Sequence, residues 1–169
     1  DIADASKKET LEAIESASNA FIEWSKTTPY ERSELLYNSW EYMLKNKEVL
    51  ATIMTKEQGK TIKSSMAEVK YAADFLLWYA EEAKRINGKW IKSEKPNQRF
   101  LTFKVPVGVI GAITPWNYPI SMITRKIAPA LAAGCTIVLK PSELTPLCAI
   151  ETFKTLEKSN FPDGVLNLI

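Results

Sequence analysis

Two short loops hold the residues that could do chemistry. One reads Thr114-Pro115-Trp116-Asn117-Tyr118-Pro119, and the other reads Lys140-Pro141-Ser142-Glu143-Leu144. In the first, prolines on either side of Trp-Asn restrict the backbone around Asn117. A rigid amide there can donate to a developing oxyanion, a contact worth about 3 kcal/mol in other enzymes. The competing reading is an Asx turn that only shapes the loop. In the second, a lysine and an acid lie three residues apart. The ammonium of Lys140 can hold hydroxyl or phosphate oxygens. The carboxylate of Glu143 can accept from two ribose hydroxyls and repels a 2′-phosphate. Alternatively the two form an exposed ion pair, or the acid marks a helix entry, with little energetic weight.

The elements around these loops decide whether they meet. An apolar run over 107–113 predicts a strand buried on both faces. A helix over 120–133, closed by Gly134, leads to a short buried strand over 136–139 that Pro141 breaks. A helix over 146–158, the turn Pro162-Asp163-Gly164 and a strand over 165–169 complete a β-α-β-α-β order. Right-handed crossovers make the three strands parallel, and ligands bind at the carboxyl ends of such strands. Both loops occupy that edge. The first lacks the Gly-x-Gly-x-x-Gly fingerprint, so a nucleotide would have to approach in another way.

Upstream, the pattern is helical. Ser6 and Glu9 have capping-box spacing ahead of Leu11, Ile14, Phe21 and Trp24. Thr28, Pro29 and Glu31 start a second helix lined by Leu36, Trp40, Met43 and Leu44. A third runs through Val49, Leu50, Ile53 and Met54 to Gly59. A fourth carries Met66, Val69, Ala73, Leu76, Ala80 and Ala83 and is expected to end at Asn87-Gly88. Leu101, Phe103 and Val105 alternate with Thr102 and Lys104, which predicts a hairpin over 89–105 with one face buried. Trp24, Trp40, Trp78 and Tyr79 read as core or subunit contact. The segments are therefore 1–88, helical; 89–106, hairpin; and 107–169, the β-α-β-α-β unit.

Composition narrows the chemistry. The 169 residues contain no histidine, which removes Ser-His and Cys-His catalysis and argues against an ordinary catalytic zinc site; no metal is expected. Two cysteines do not make a disulfide framework, so a reducing cytoplasm is expected. Cys135 enters a strand at the end away from the ligand edge and Cys148 lies among apolar helix residues. Both read as buried small hydrophobes. A net charge of +2 with interspersed signs gives no footprint for nucleic acid or an anionic membrane. No apolar run spans a bilayer. The opening Asp1-Ile2-Ala3-Asp4 is polar and not a secretory signal, and a first residue other than Met suggests a trimmed chain.

Three stretches in order resemble the aldehyde dehydrogenase superfamily: residues 114–119, Pro129-Ala130-Leu131-Ala132-Ala133-Gly134-Cys135-Thr136, and Leu139 through Pro146. Glu57-Gln58-Gly59-Lys60 and Tyr71-Ala72-Ala73-Asp74-Phe75 look similar too, although spacing alone gives the former no chemistry. Within the superfamily, Met122-Ile123-Thr124-Arg125-Lys126 is similar to succinate-semialdehyde dehydrogenases. The resemblance implies an α/β fold: an N-terminal helical layer plus the start of a Rossmann-like parallel sheet, with the hairpin as part of an assembly domain.

The resemblance also implies roles. Asn117 would donate its amide to the thiohemiacetal oxygen. Ile113, Thr114, Pro115, Trp116 and Asn117 would line the path of NAD or NADP, and Lys140, Ser142 and Glu143 would meet its adenosine ribose, with Glu143 favouring NAD. Arg125 would face the distal carboxylate of a small aldehyde substrate, as a forked guanidinium suits; periodicity alone makes it a surface arginine. The family's nucleophilic Cys, general-base Glu and Gly-containing cofactor loop would lie downstream of residue 169, so this segment alone would not turn over. A full-length homo-oligomer, dimer or tetramer, is implied. A sibling enzyme for another aldehyde and a non-catalytic binding or assembly module remain as alternatives. The isolated segment, with an open sheet edge, is expected to be poorly soluble or to self-associate.

Overall fold

Local caps start and stop the first helices of the computed structural model, which describes residue 2 and residues 4–169. The remaining two residues of the polar opening stretch lie outside the described residues. Helix α1 (Lys7–Trp24) begins at the Ser6–Glu9 capping box, and α2 (Pro29–Lys45) begins at the Thr28–Glu31 box with Pro29 in its first turn. Helix α3 (Lys47–Gln58) stops where Gly59 turns left-handed at φ 84°.

Helix α4 (Ile62–Ala83) ends earlier than the sequence suggests, with Lys84 as its right-handed cap. Asn87-Gly88 is not that cap. A Cβ on Gly88 would stand 1.9 Å from the Thr102 carbonyl oxygen, so glycine is required there for close backbone passage. What passes is the hairpin of β1 (Lys89–Lys92) and β2 (Arg99–Thr102), paired antiparallel with Trp90 opposite Leu101. The expected buried face is absent: every strand residue of the hairpin is exposed. Phe103 and Val105 lie beyond β2 and are exposed as well. Alternation reports two faces but not what covers either.

The second sheet has the order β3-β4-β5, formed by Val109–Ile113, Thr136–Lys140 and Leu166–Leu168, all parallel. Strand β4 is central and buried from Thr136 to Leu139. The expectation for 107–113 is corrected. Val107 precedes the strand and is exposed, and within β3 Gly111 is exposed and Ile113 is 73% exposed; among the described residues β3 pairs on one side, with β4. An apolar run does not say which of its side chains a neighbouring element covers.

Helices α5 (Ser121–Ala132) and α6 (Pro146–Glu157) follow β3 and β4. The core joins Leu36, Met43 and Leu76 to Ile123, Ile127 and Leu131 of α5, and continues to Leu139 and Leu156. Burial of a side chain of this size is worth about 1.5–3 kcal/mol. Arg32, buried on α2, donates Nε to the Ala132 carbonyl at 3.0 Å and so ties down the end of α5. Helix α1 keeps only the later half of its predicted face: Trp24 is buried and Phe21 half-buried, whereas Leu11 and Ile14 are exposed and Ala17 is buried. The reason is its partner. It leans on the sheet, with Trp24 Nε1 donating to the Cys135 carbonyl at 3.0 Å and Thr136 Oγ1 donating to the Ala17 carbonyl at 2.9 Å. Trp78, read as core or contact, is not core here; it is exposed on α4. Among the described residues no helix is long and apolar enough to cross a membrane.

Candidate functional site

Strand register brings the two loops together. Ile113 pairs with Lys140 in the parallel ladder, and the Thr114 amide donates to the Lys140 carbonyl at 3.1 Å. Loops 114–120 and 140–145 therefore leave neighbouring strands on one rim, the carboxyl end of the sheet. Thr114 is buried beneath that rim; Pro115, Trp116 and Asn117 are exposed along it.

Asn117 is held by its backbone. Its carbonyl accepts from Gln58 Nε2 at 3.0 Å and from Lys60 Nζ at 3.3 Å. Among the described residues its side-chain amide makes no hydrogen bond, so the Asx turn is not formed and the amide is free to donate. In the second loop, Ser142 shapes the turn: its Oγ accepts from the Leu144 amide at 3.2 Å and its carbonyl from the Thr145 amide at 3.1 Å. Lys140 Nζ lies 3.9 Å from Glu143 Oε2, with side chains 55% and 80% exposed. That ion pair is too loose and too wet to occupy either head group.

Helices α5 and α6 begin without side-chain caps of their own. Carboxylates from the α3–α4 corner take that place. Glu68 Oε1 accepts from the Ile120 and Ser121 amides at 3.1 and 3.2 Å. The Glu57 oxygens accept from the Leu147 and Cys148 amides at 2.7 and 2.8 Å. A dinucleotide normally lays its pyrophosphate on the first helix start of such a sheet. Here a phosphate at either helix start would meet a carboxylate. The residues present thus fit a ribose and an uncharged ring on the rim, and leave the phosphates to another anchor. Spacing did not find Glu57, Gln58, Lys60 or Glu68; the familiar look of Glu57-Gln58-Gly59-Lys60 was the available signal.

Arg125 lies four residues into α5, about 6 Å along the axis beyond Ser121. It is exposed but not loose. Its Nη2 donates to the Tyr71 hydroxyl at 2.9 Å, and its guanidinium stands 5.2 Å from the centre of the Phe75 ring. Those two rings pack edge to face at 4.9 Å. The nearby acid Asp74 is paired with Lys70 at 2.9 Å. Neither thiol joins the site. Cys135 is buried at the opposite end of β4, and burial, reinforced by the Glu57 carboxylate, pushes the Cys148 thiol far above its ordinary value.

Comparison with known proteins agrees with this architecture. The chain matches the aldehyde dehydrogenase family over residues 1–169. The chain belongs to the aldehyde dehydrogenase family. It is 48% identical to a mitochondrial succinate-semialdehyde dehydrogenase of Arabidopsis thaliana, covering 100% of this chain and 32% of the relative. It is 47% identical to a glutarate-semialdehyde dehydrogenase of Pseudomonas putida, over 95% of this chain and 34% of that protein. A betaine aldehyde dehydrogenase point mutant of Staphylococcus aureus, solved in complex with NAD+, superposes with a TM-score of 0.96 at 37% identity, covering 99% of this chain and 35% of that one. This aldehyde dehydrogenase chain spans about a third of the length of these relatives.

Proposed function

We propose that the chain is the amino-terminal part of an NAD(P)-dependent aldehyde dehydrogenase that oxidises succinic semialdehyde to succinate. One observation carries the reading. The Ile113–Lys140 register supports it by bringing the loop that carries Asn117 and the loop that carries Lys140 and Glu143 to a single rim. The Asn117 amide donates to the aldehyde oxygen as negative charge builds on it, the step at which a fixed donor lowers a barrier most. Lys140 and Glu143 bind ribose hydroxyls, Ser142 keeps their turn, and residues from Ile113 to Trp116 line the approach. When bound, a nicotinamide dinucleotide supplies the hydride acceptor, and Glu143 favours the form without a 2′-phosphate. Arg125 holds the distal carboxylate. The attacking thiolate and the base come from beyond this span.

The segments divide the work: 1–88 forms the supporting helical layer, 89–106 an arm for subunit assembly, and 107–169 the first half of the nucleotide unit. The exposed apolar hairpin supports a homo-oligomer, dimer or tetramer, and the free buried thiols suit a reducing cytoplasm. A second reading has the same chemistry on glutaric semialdehyde. The relative of that name supports it, and Arg125 suits either carboxylate. The test is nicotinamide reduction by the full-length protein with a panel of aldehydes and both nucleotides. A carboxylate-bearing aldehyde should give the highest kcat/KM. Equal rates with the matching uncharged aldehyde, or no reduction with any, would reject the reading.

A further inference from the structure

We infer that Lys60 and Glu68 are positioning residues for Asn117, acting through the backbone of residues 117–121; the inference rests on the reading of Asn117 as an oxyanion donor. The pair is almost closed to water, with Lys60 14% and Glu68 1% exposed at the side chain. A buried ion pair is a poor general stabiliser, because desolvation offsets its attraction. This one is directed at a single segment. Glu68 divides its oxygens: Oε2 binds Lys60 and Oε1 takes the Ile120 and Ser121 amides. The ammonium of Lys60 also reaches the Asn117 carbonyl at 3.3 Å and stands 4.5 Å from the centre of the Tyr118 ring. Residues 117, 118, 120 and 121 are therefore gripped from the α3–α4 corner, while Pro115 and Pro119 stiffen the remainder. With its carbonyl fixed on the inner side, the peptide of Asn117 keeps only side-chain torsions free, and its amide is presented to the rim. Capping α5 needs Glu68 alone. A lysine bonded to a loop carbonyl adds nothing to a helix start, and that separates positioning from simple support.

The experiment uses the full-length enzyme with Lys60→Met, Lys60→Arg, Glu68→Gln and Asn117→Ala, each alone, and Lys60→Met combined with Asn117→Ala. Lys60→Met should lower kcat by about tenfold while both KM values stay within about twofold, since a displaced donor weakens the transition state and not the ground state. Lys60→Arg should recover most of the loss. Glu68→Gln, which keeps an acceptor for the α5 amides, should fold and resemble Lys60→Met. In the Asn117→Ala background, Lys60→Met should cost nothing further; losses that multiply would overturn the inference. If Asn117→Ala itself left kcat unchanged, the donor reading would fall, and amide exchange over 116–122 would then judge the grip alone. Faster exchange confined to that segment in Lys60→Met supports the grip, and unchanged exchange overturns it.

Discussion

Arg125→Gln is the most direct test of substrate class. The substitution keeps a hydrogen-bonding head, on a shorter side chain, and removes the charge and the fork. The guanidinium is presented by the Tyr71 hydroxyl at 2.9 Å and the Phe75 face at 5.2 Å, so a carboxylate finds it already oriented. A charge-assisted contact is worth about 1.5–3 kcal/mol, and exposure places this one toward the lower end, about 1.5–2 kcal/mol. At about 1.4 kcal/mol per tenfold, KM for succinic semialdehyde should rise roughly 12- to 30-fold. The carboxylate sits away from the reacting carbon, so kcat should change by less than about twofold, the pattern of lost uniform binding. Steady-state nicotinamide absorbance on the full-length protein measures both constants, with butanal as a control of equal chain length. Arg125→Lys should recover part of the affinity, because charge returns without the planar fork. An unchanged KM for the semialdehyde, or an equal rise for butanal, would refute the reasoning.

Glu143→Gln removes the charge that opposes a 2′-phosphate. The ratio of kcat/KM for NADP to that for NAD should rise by about fivefold in low salt and less in high salt, because the site is exposed; a ratio that falls or stays constant contradicts the role. Cys148 should resist iodoacetamide in the folded protein at pH 8 and react once denatured, because burial keeps it a thiol; peptide mass mapping decides, and native alkylation within minutes would reject it. Glu31 is held below the ordinary carboxylate value of 4.5, chiefly by the Thr28 backbone amide. A depressed folded value means that its stabilisation is present above the unfolded value and lost as pH falls through the folded one. The thermal midpoint of wild type should exceed that of Glu31→Gln at pH 6, and the gap should narrow as the pH falls below the ordinary carboxylate value; a gap that widens on acidification has the wrong sign.

What the sequence disclosed was local. The Ser6–Glu9 and Thr28–Glu31 boxes and the Gly59 stop were readable because each feature lies within a few residues of its cause. The rim was readable because a β-α-β order fixes strand direction. Features that failed had distant causes. Asn87-Gly88 looks like a helix end, yet Gly88 answers to Thr102 across the hairpin. The apolar run into β3 gave no sign that Gly111 and Ile113 stand exposed. Leu11 and Ile14 follow a helical period on a helix whose covered side runs instead through Ala17, Ala20 and Trp24. The carboxylates that start α5 and α6 come from more than fifty and about ninety residues away. No short-range pattern encodes such a bond. Arg125 was legible by resemblance, but its aromatic seat, contributed by α4, was not.

The suture between α1 and the foot of β4 has a consequence during synthesis. Trp24 and Cys135 are 111 positions apart, and Ala17 and Thr136 are 119 apart. A ribosome adding 5–20 residues per second needs roughly 6 to 24 s to traverse that interval. Throughout it the nascent α1 has no sheet to lie on, and its indole waits in water or on a chaperone. Closing so wide a loop is slow. Helix α1 is thus made long before the strand end on which it docks.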